Sequence, residues 1–279
     1  MLSRIPRFDY HRLMEKFKVA VIQNSAGPDE AQNLQNIEEL LAGAGPADLV
    51  ALPEIFSLRG NDERCRAAST MLNSHTAVGH ARNWCSEYGC CILLGSLIER
   101  EGDKIYNTSV LLNRKGEITA AYRKIHLFSA ELKDGTIVRE SDVYTPGDEP
   151  VICDLEGWKC GLSICYDLRF PELFRAYSQT GADLIFAPSN FTAATGKDHW
   201  EVLVRARAIE NQCWMVAPNQ CGENPDTGVK SYGHSMIVDP WGKIAAKAGT
   251  EPCVIKAELD PAAIQDVRKR LPALKHRRM

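Results

Sequence analysis

The chain of 279 residues carries 33 Lys and Arg against 36 Asp and Glu, a formal net charge of −3, and 44% of its residues are hydrophobic. These are ordinary globular values and exclude disordered, collagen-like and coiled-coil chains. The charge balance offers no basic footprint, so we expect neither nucleic acid nor an anionic membrane as a partner. No apolar run reaches the ~20 residues that span a bilayer. We therefore expect a cytoplasmic protein with one large domain.

Residues 1–17 show no clear hydrophobic period and are predicted to form an N-terminal extension to a single domain at 18–279. From Lys18 onward, short aliphatic runs alternate with helical patterns, which is typical of an α/β fold. The predicted strands are 19–23, 49–52, 91–97, 109–113, 118–122, 160–165, 184–187, 214–217, 234–238 and 254–258. The predicted helices are 30–42, 76–88, 171–180, 199–211 and 261–269. Turns at 113–116 and 239–242 predict hairpins, so part of the sheet should be antiparallel, and 129–150 is the longest predicted loop.

The ten cysteines favour reduced thiols over disulfides, because they lie inside apolar runs and a chain of this size needs no covalent staples. No Cys-x-x-Cys or His-Glu-x-x-His pattern occurs, so we expect no metal site. A Gly-x-Gly-x-x-Gly fingerprint and a phosphate-binding loop are also missing from the sequence. We therefore expect no cofactor.

Two charged residues follow predicted strands. Glu54 comes directly after the buried run 48–53, at the strand end where open α/β sheets bind ligands. Lys124 follows the strand at 118–122 between aromatic and aliphatic neighbours, where it could be a partly desolvated, fixed cation. Taken singly, each residue favours an ordinary surface position, a solvated loop glutamate for Glu54 and a basic surface turn for Lys124, because charged residues are mostly exposed.

Cys165 lies where an apolar strand runs into a turn, and Pro171 opens a helix a few residues later. A thiol at a sharp strand-to-helix turn is open to substrate, and nearby backbone N–H groups can face an oxyanion. The alternative is an inert core thiol, as expected for Cys90, Cys91, Cys160 and Cys213. Ser163 precedes a cysteine where a serine-hydrolase elbow has glycine, so we expect Ser163 inside the strand.

A glutamate, a lysine and a cysteine in this order and setting resemble the catalytic triad of the nitrilase superfamily, the carbon-nitrogen hydrolases. The resemblance extends from Lys18 to about Arg278 and is carried by Leu52-Pro53-Glu54, Tyr122-Arg-Lys124-Ile-His, Cys165-Tyr-Asp-Leu-Arg-Phe-Pro-Glu and the runs at 199–211 and 233–242. It implies an α/β fold of the nitrilase-like α-β-β-α sandwich type, with a mixed central sheet pair and subunits that pair as homodimers. Glu140 matches the additional glutamate that the family places near the lysine.

The resemblance also implies a mechanism, the hydrolysis of a small-molecule amide through a cysteine thioester. Glu54 would be the base and acid, Cys165 the nucleophile, and Lys124 with the backbone N–H of Tyr166 the oxyanion partners. The runs at 231–236 and 271–278 resemble the branch that hydrolyses deaminated glutathione, although the ω-amidase branch, which acts on 2-oxoglutaramate, shares the cysteine elbow. Nitrilase, N-carbamoyl hydrolase and acyl-transfer activities stay open, as does a non-catalytic metabolite-binding protein on the same fold.

For the substrate pocket, the resemblance points to Arg169, Phe191 and Thr195. A guanidinium four residues beyond the nucleophile could hold a substrate carboxylate in bidentate geometry. An ion pair between Arg169 and Glu172 is the competing interpretation, and Thr195 could belong to a turn before the helix.

Overall fold

The computed structural model describes residues 14–131 and 137–278. Residues 1–13 of the predicted extension and 132–136 of the predicted loop lie outside this range. The described helices are α1 (Glu30–Ala44), α2 (Asp62–Ala68), α3 (Thr76–Tyr88), α4 (Pro171–Gln179), α5 (Ala193–Asn211) and α6 (Pro261–Arg270), with 3-10 turns at Leu72–Ser74, Glu140–Asp142 and Cys165–Arg169. None of the helices in these two ranges is both long and apolar enough to cross a bilayer.

Fourteen strands are described: β1 (Phe17–Gln23), β2 (Leu49–Ala51), β3 (Cys91–Glu101), β4 (Lys104–Leu112), β5 (Ile118–Arg123), β6 (Ser129–Glu131), β7 (Ile137–Arg139), β8 (Val151–Leu155), β9 (Trp158–Leu162), β10 (Leu184–Phe186), β11 (Trp214–Ala217), β12 (Met236–Val238), β13 (Ile244–Lys247) and β14 (Cys253–Leu259). They form two six-stranded sheets, in the orders β14-β1-β2-β3-β4-β5 and β8-β9-β10-β11-β12-β13, and a separate β6-β7 hairpin. In each large sheet, one antiparallel pair is followed by two parallel and two antiparallel pairs. The mixed sheet pair predicted from the sequence is confirmed.

The two sheets stack face to face between two layers of helices. The side chains of β1 alternate, so that Val19 and Val21 enter the core shared with the second sheet, while Ala20 and Ile22 face a second core. That second core contains α1 and α3, and α4 and α5 pack against the second sheet with Phe174 and Trp200. This period of two is what a strand buried on both faces requires. The fold is the predicted α-β-β-α sandwich.

The sequence predictions differ from the structure where hydrophobic periodicity is weak. The strand predicted at 160–165 ends at Leu162, because the chain turns sharply before Cys165. Helix α5 begins at Ala193 rather than at His199, since its first turn is small and polar and is held by the Thr192 cap. Five elements were not predicted: β6 and β7 are three-residue strands within the predicted loop 129–150, β8 is a half-buried edge strand, β13 is rich in alanine, and α2 buries only Cys65.

The two sheets approach closely at Gly95, which lies at a bulge in β3. A Cβ atom added there would overlap the Leu52 carbonyl oxygen and lie 2.6 Å from the Pro188 side chain. Leu52 directly follows β2, the strand that precedes Glu54, and the Pro188 carbonyl accepts the backbone N–H of Cys165 at 2.9 Å. Glycine is therefore required where the two halves of the candidate site meet.

We expect Gly95→Ala to lower both stability and activity. Overpacking of this kind costs about 1–3 kcal/mol of unfolding free energy, and the shift needed to relieve it moves the Glu54 and Cys165 segments apart. Thermal unfolding and turnover of an amide substrate measure the two effects. Gly79→Ala is the matched control, because nothing lies within 4 Å of the added Cβ in helix α3. Equal behaviour of the two variants would contradict the assigned close contact.

Candidate active site

Glu54 is buried and hydrogen-bonded, so it is not the solvated loop glutamate that the sequence left open. It follows β2 and Pro53, and its Oε1 accepts hydrogen bonds from Lys124 Nζ at 2.8 Å and Asn107 Nδ2 at 2.9 Å. Both donors engage the same oxygen. Among the described residues, no hydrogen bond to the other oxygen occurs, so that oxygen is available to exchange a proton.

Lys124 is also buried, which excludes the basic surface turn as its setting. It follows β5, where its backbone N–H donates to the Asn107 carbonyl at 2.8 Å and its carbonyl accepts from Gly147 at 2.8 Å. The ammonium lies between two carboxylates, 2.8 Å from an oxygen of Glu54 and 2.8 Å from an oxygen of Glu140. Burial opposes the charged form, but the two carboxylates outweigh it and hold the pKa of Lys124 well above its ordinary value. The site contains a permanent cation.

Glu140 lies in a 3-10 turn that follows the β6-β7 hairpin, and the structure brings it to Lys124 as the resemblance implied. Its Oε2 accepts the backbone N–H of Phe128 at 2.8 Å. Burial raises the pKa of Glu140, the Lys124 ammonium opposes that rise, and the Glu54 charge adds to it. Its carboxylate is thus a second hydrogen-bond acceptor for the ammonium besides Glu54.

Cys165 opens the 3-10 turn after β9 in a left-handed backbone conformation, with φ of 49°. Ile55, the residue after Glu54, is left-handed too, with φ of 45°. Such conformations are strained for residues with a side chain, above all for a β-branched one, and cluster at functional sites. The turn directs the Cys165 side chain to the wall of a cavity that Glu54 and Glu140 also line.

The charges around Cys165 determine its protonation. Burial raises the pKa of the thiol, and the Glu54 charge raises it further. The Lys124 ammonium and a hydrogen bond from the Asn190 backbone act in the opposite direction without offsetting the rise. The pKa of Cys165 therefore lies well above its ordinary value, and the group is a neutral thiol at pH 7.

A buried carboxylate, Asp167, connects the lysine and cysteine segments. Its Oδ2 accepts from Tyr122 Oη at 2.7 Å and from the Ile164 backbone N–H at 2.8 Å. Its Oδ1 lies 2.7 Å from His126 Nδ1 and accepts the His126 backbone N–H at 3.2 Å. Because a carboxylate only accepts, His126 Nδ1 carries the proton. Asp167 thus ties the chain on both sides of Lys124 to the residue before Cys165.

The cavity has a volume of about 310 Å³, and its wall includes Tyr166, Arg169, Phe191 and Thr195 as well as the reactive groups. The guanidinium of Arg169 lies 5.6 Å from the Tyr166 ring and 5.4 Å from the Phe191 ring. Arg169 Nη1 donates to His199 Nδ1 at 3.2 Å, and no ion pair with Glu172 occurs among the described residues. Thr195 lines the cavity and lies in the first turn of α5 rather than in a turn before the helix, with its backbone N–H donating to the Thr192 hydroxyl at 3.4 Å.

Sequence reasoning missed Asn107, Asp167 and Arg59, all buried and polar. The one usable signal was for Asn107, a polar residue within the apolar strand β4. Within the described part of the chain, no cluster of three or more His, Cys, Asp or Glu side chains is arranged to hold a metal ion.

The fold and the triad geometry agree with comparisons to known proteins. The model of the carbon-nitrogen hydrolase family matches residues 18–269. The deaminated glutathione amidase of Synechocystis sp. is 40% identical over 271 residues, 95% of this chain and 99% of that protein. The omega-amidase NIT3 of Saccharomyces cerevisiae is 36% identical over 276 residues, 95% and 94% of the two chains. The crystal structure of S. cerevisiae Nit3, a member of branch 10 of the nitrilase superfamily, superposes with a TM-score of 0.85 at 35% identity and covers 96% of this chain and 98% of that one.

The family model matches most of the chain, and the two relatives are 40% and 36% identical, so these comparisons show the family of the protein. The protein belongs to the carbon-nitrogen hydrolase family, as the motifs around Glu54, Lys124 and Cys165 indicated. It is an enzyme that acts on carbon–nitrogen bonds of non-peptide amides.

The site geometry predicts that Cys165 carries its proton in the resting enzyme. We expect no thiolate absorbance from Cys165 at neutral pH, because burial and the Glu54 charge raise its pKa above the ordinary ~8.5. Ultraviolet difference spectra of wild type minus Cys165→Ala across a pH titration isolate this one thiol from the other nine. A thiolate signal already present at neutral pH would contradict the assignment and remove the need for a base.

Proposed function

We propose that this enzyme is a thiol-dependent amidase that hydrolyses a small, carboxylate-bearing amide such as deaminated glutathione to a carboxylic acid and an amine or ammonia. The observation that carries the proposal is the Lys124 ammonium, 2.8 Å from Glu54 and electrostatically coupled to the Cys165 thiol in the wall of one cavity. The relative from Synechocystis, named a deaminated glutathione amidase, supports the choice of substrate.

In the first half of the reaction, the Cys165 sulfur attacks the amide carbon while Glu54 takes the thiol proton. The carbonyl oxygen becomes an oxyanion, which we assign to the Lys124 ammonium and the backbone N–H of Tyr166. The carbon–nitrogen bond then breaks as Glu54 returns the proton to the leaving nitrogen. This leaves an acyl thioester on Cys165 and a free amine or ammonia.

In the second half, Glu54 takes a proton from water as the hydroxyl oxygen attacks the thioester carbon. Collapse of the second tetrahedral intermediate expels the Cys165 sulfur, which recovers its proton from Glu54, and releases the carboxylic acid. Because the Glu54 Oε1 is held by Lys124 and Asn107, its other oxygen is suited to carry the proton through both halves. Glu140 orients the ammonium and takes no proton.

Arg169 is our candidate for the group that holds the substrate's α-keto acid carboxylate. It lies on the same turn as Cys165, between the rings of Tyr166 and Phe191, and is only half-buried. Phe191 and Thr195 complete this side of the pocket in the proposal. An ω-amidase activity on the primary amide 2-oxoglutaramate is the second candidate, supported by the 36% identical yeast relative.

The proposal includes one catalytic domain at 18–279, a homodimer and a cytoplasmic location. Strand β1 pairs with β14, so the two ends of the domain share one sheet. Helix α5 exposes Val202 and Ile209, and Ile209 lies against Gly242, the residue after the exposed Trp241, which gives an apolar surface suited to a second copy of the chain. No disulfide joins any of the ten cysteines, all of which lie in the described ranges, and a reducing compartment preserves thiols.

Ammonia or amine release from deaminated glutathione and from 2-oxoglutaramate tests the function directly. We expect Cys165→Ala to abolish turnover and retain the fold, because only Cys165 among the thiols lies beside Glu54 and Lys124. Mass spectrometry after rapid quenching should locate the acyl thioester on Cys165. Cys213→Ala, which removes a buried thiol remote from the cavity wall, is the control. Turnover by Cys165→Ala would refute the mechanism.

Substrate discrimination by Arg169 gives a second test. An α-keto acid amide and a neutral amide of similar length are compared in the wild type, Arg169→Lys and Arg169→Ala. We expect Arg169→Ala to lose most of the preference for the keto acid, since a charge-assisted hydrogen bond contributes about 1.5–3 kcal/mol, and Arg169→Lys to lose less. If both substrates suffer equally in Arg169→Ala, the arginine has a structural role.

A further inference from the structure

A second arginine, Arg59, lies in the cavity wall and is 1% exposed. It follows the loop that carries Glu54. Its Nη1 donates to the Ser231 hydroxyl at 2.6 Å and to the Cys221 carbonyl at 3.2 Å. Its Nε and Nη2 are buried and have no hydrogen-bond partner. Two of the three nitrogens of a buried guanidinium are therefore unsatisfied.

The charge of Arg59 is also uncompensated. Within the two described ranges, no carboxylate lies within 4.0 Å of its nitrogens, although Asp62 and Asp142 line the same cavity. Burial lowers the pKa of Arg59 to about 10, so the group is still charged at neutral pH. An unpaired charge and unmet donors in the interior are costly, and buried charges in proteins are normally paired. Among the described residues, the Arg59 guanidinium therefore has no negatively charged partner, and a bound anion would supply one.

An acidic substrate needs a positively charged subsite outside the reactive centre. Glu54 and Glu140 surround a single ammonium, so the centre does not carry the positive charge that would attract a carboxylate. Cations elsewhere in the wall must offset the repulsion. Arg169 and Arg59 lie on different segments, one on the turn of the nucleophile and the other on the loop of the proton donor.

We propose that Arg59 is the binding site for a second carboxylate of the substrate, carried on the amine side of the amide. Glu54 delivers a proton to the leaving nitrogen, and Arg59 lies five residues further along the same loop. Gln220 connects the two residues, because its side chain donates to the Glu54 carbonyl at 3.1 Å and the next residue, Cys221, accepts a hydrogen bond from Arg59. Arg169, beside Cys165, faces the acyl side. The preferred substrate class is thus an N-substituted amide of a keto acid whose amine part ends in a carboxylate.

This inference rests on the proposed function and narrows it, because a primary amide has no amine-side carboxylate. A matched pair of substrates tests it without any mutation: the ω-amide of 2-oxoglutaric acid with glycine, and the same amide with glycinamide. The two differ only in the terminal charge. We expect the wild type to show at least about tenfold higher kcat/KM for the glycine amide.

Variants then assign the preference to Arg59. Arg59→Met should abolish the discrimination between the two substrates, and Arg59→Lys should retain part of it because the charge remains. Turnover of 2-oxoglutaramate by Arg59→Met should fall by a much smaller factor than turnover of the glycine amide, because 2-oxoglutaramate has no amine-side carboxylate, and thermal unfolding of the variant reports that the fold is intact. Arg64→Met is the control, since Arg64 lies on the neighbouring helix, is paired with Asp226 and does not line the cavity.

A binding measurement separates recognition from catalysis. In the Cys165→Ala background, calorimetry with the glycine amide should show weaker affinity when Arg59→Met is added, and affinity for the glycinamide amide should not change. Equal kcat/KM for the two amides in the wild type, or an equal loss for both and for 2-oxoglutaramate in Arg59→Met, overturns the role of Arg59. Failure of the wild type to hydrolyse any of the three substrates instead overturns the proposed function.

Discussion

The buried ammonium of Lys124 is the constraint on which the site depends. A charge in the interior is stable only with partners, and here two carboxylates supply them. Those carboxylates come from distant segments, the end of β2 and the turn after β7, so satisfying one cation fixes three pieces of chain relative to one another. Removing either carboxylate would leave the rest of the charge cluster unbalanced. The same arrangement that stabilises the interior holds a base and a cation beside the thiol.

The two large sheets explain why the reactive groups meet. Each sheet has the same sequence of parallel and antiparallel pairs, so each presents the carboxyl ends of its parallel strands at one edge. Glu54 follows a parallel strand of the first sheet and Cys165 follows one of the second. Face-to-face stacking brings these ends together, with Gly95 allowing the close approach. A site of this kind belongs to neither sheet alone.

How much of this the sequence could predict depends on how local each signal is. Glu54, Lys124 and Cys165 became candidates because each follows a predicted strand, a feature visible within a few residues, and the resemblance of their three motifs to a known triad favoured them over ordinary surface or core positions. The motif resemblance added Glu140. Asn107 and Asp167 could not be assigned, since their roles rest on contacts with residues 53 and 45 positions away. Arg59 gave no signal, because neither its burial nor its unmatched nitrogens can be read from neighbouring residues. Helix α2 and strand β13 bury few large apolar side chains, so the sequence carries little hydrophobic periodicity from which to predict them.

The hydrogen bonds to Asp167 bear on how the substrate specificity of the enzyme can change. By accepting hydrogen bonds from Tyr122, His126 and Ile164, it fixes the spacing between the cation and the sulfur before any substrate binds. Dipoles and charges preorganised in this way need no rearrangement as the oxyanion forms. Among the described residues, neither Arg59 nor Arg169 hydrogen-bonds to this carboxylate, so either can be exchanged without breaking the bonds that hold the cation and the sulfur in place. The scaffold thereby holds the reacting groups independently of the side chains that we assign to substrate selection.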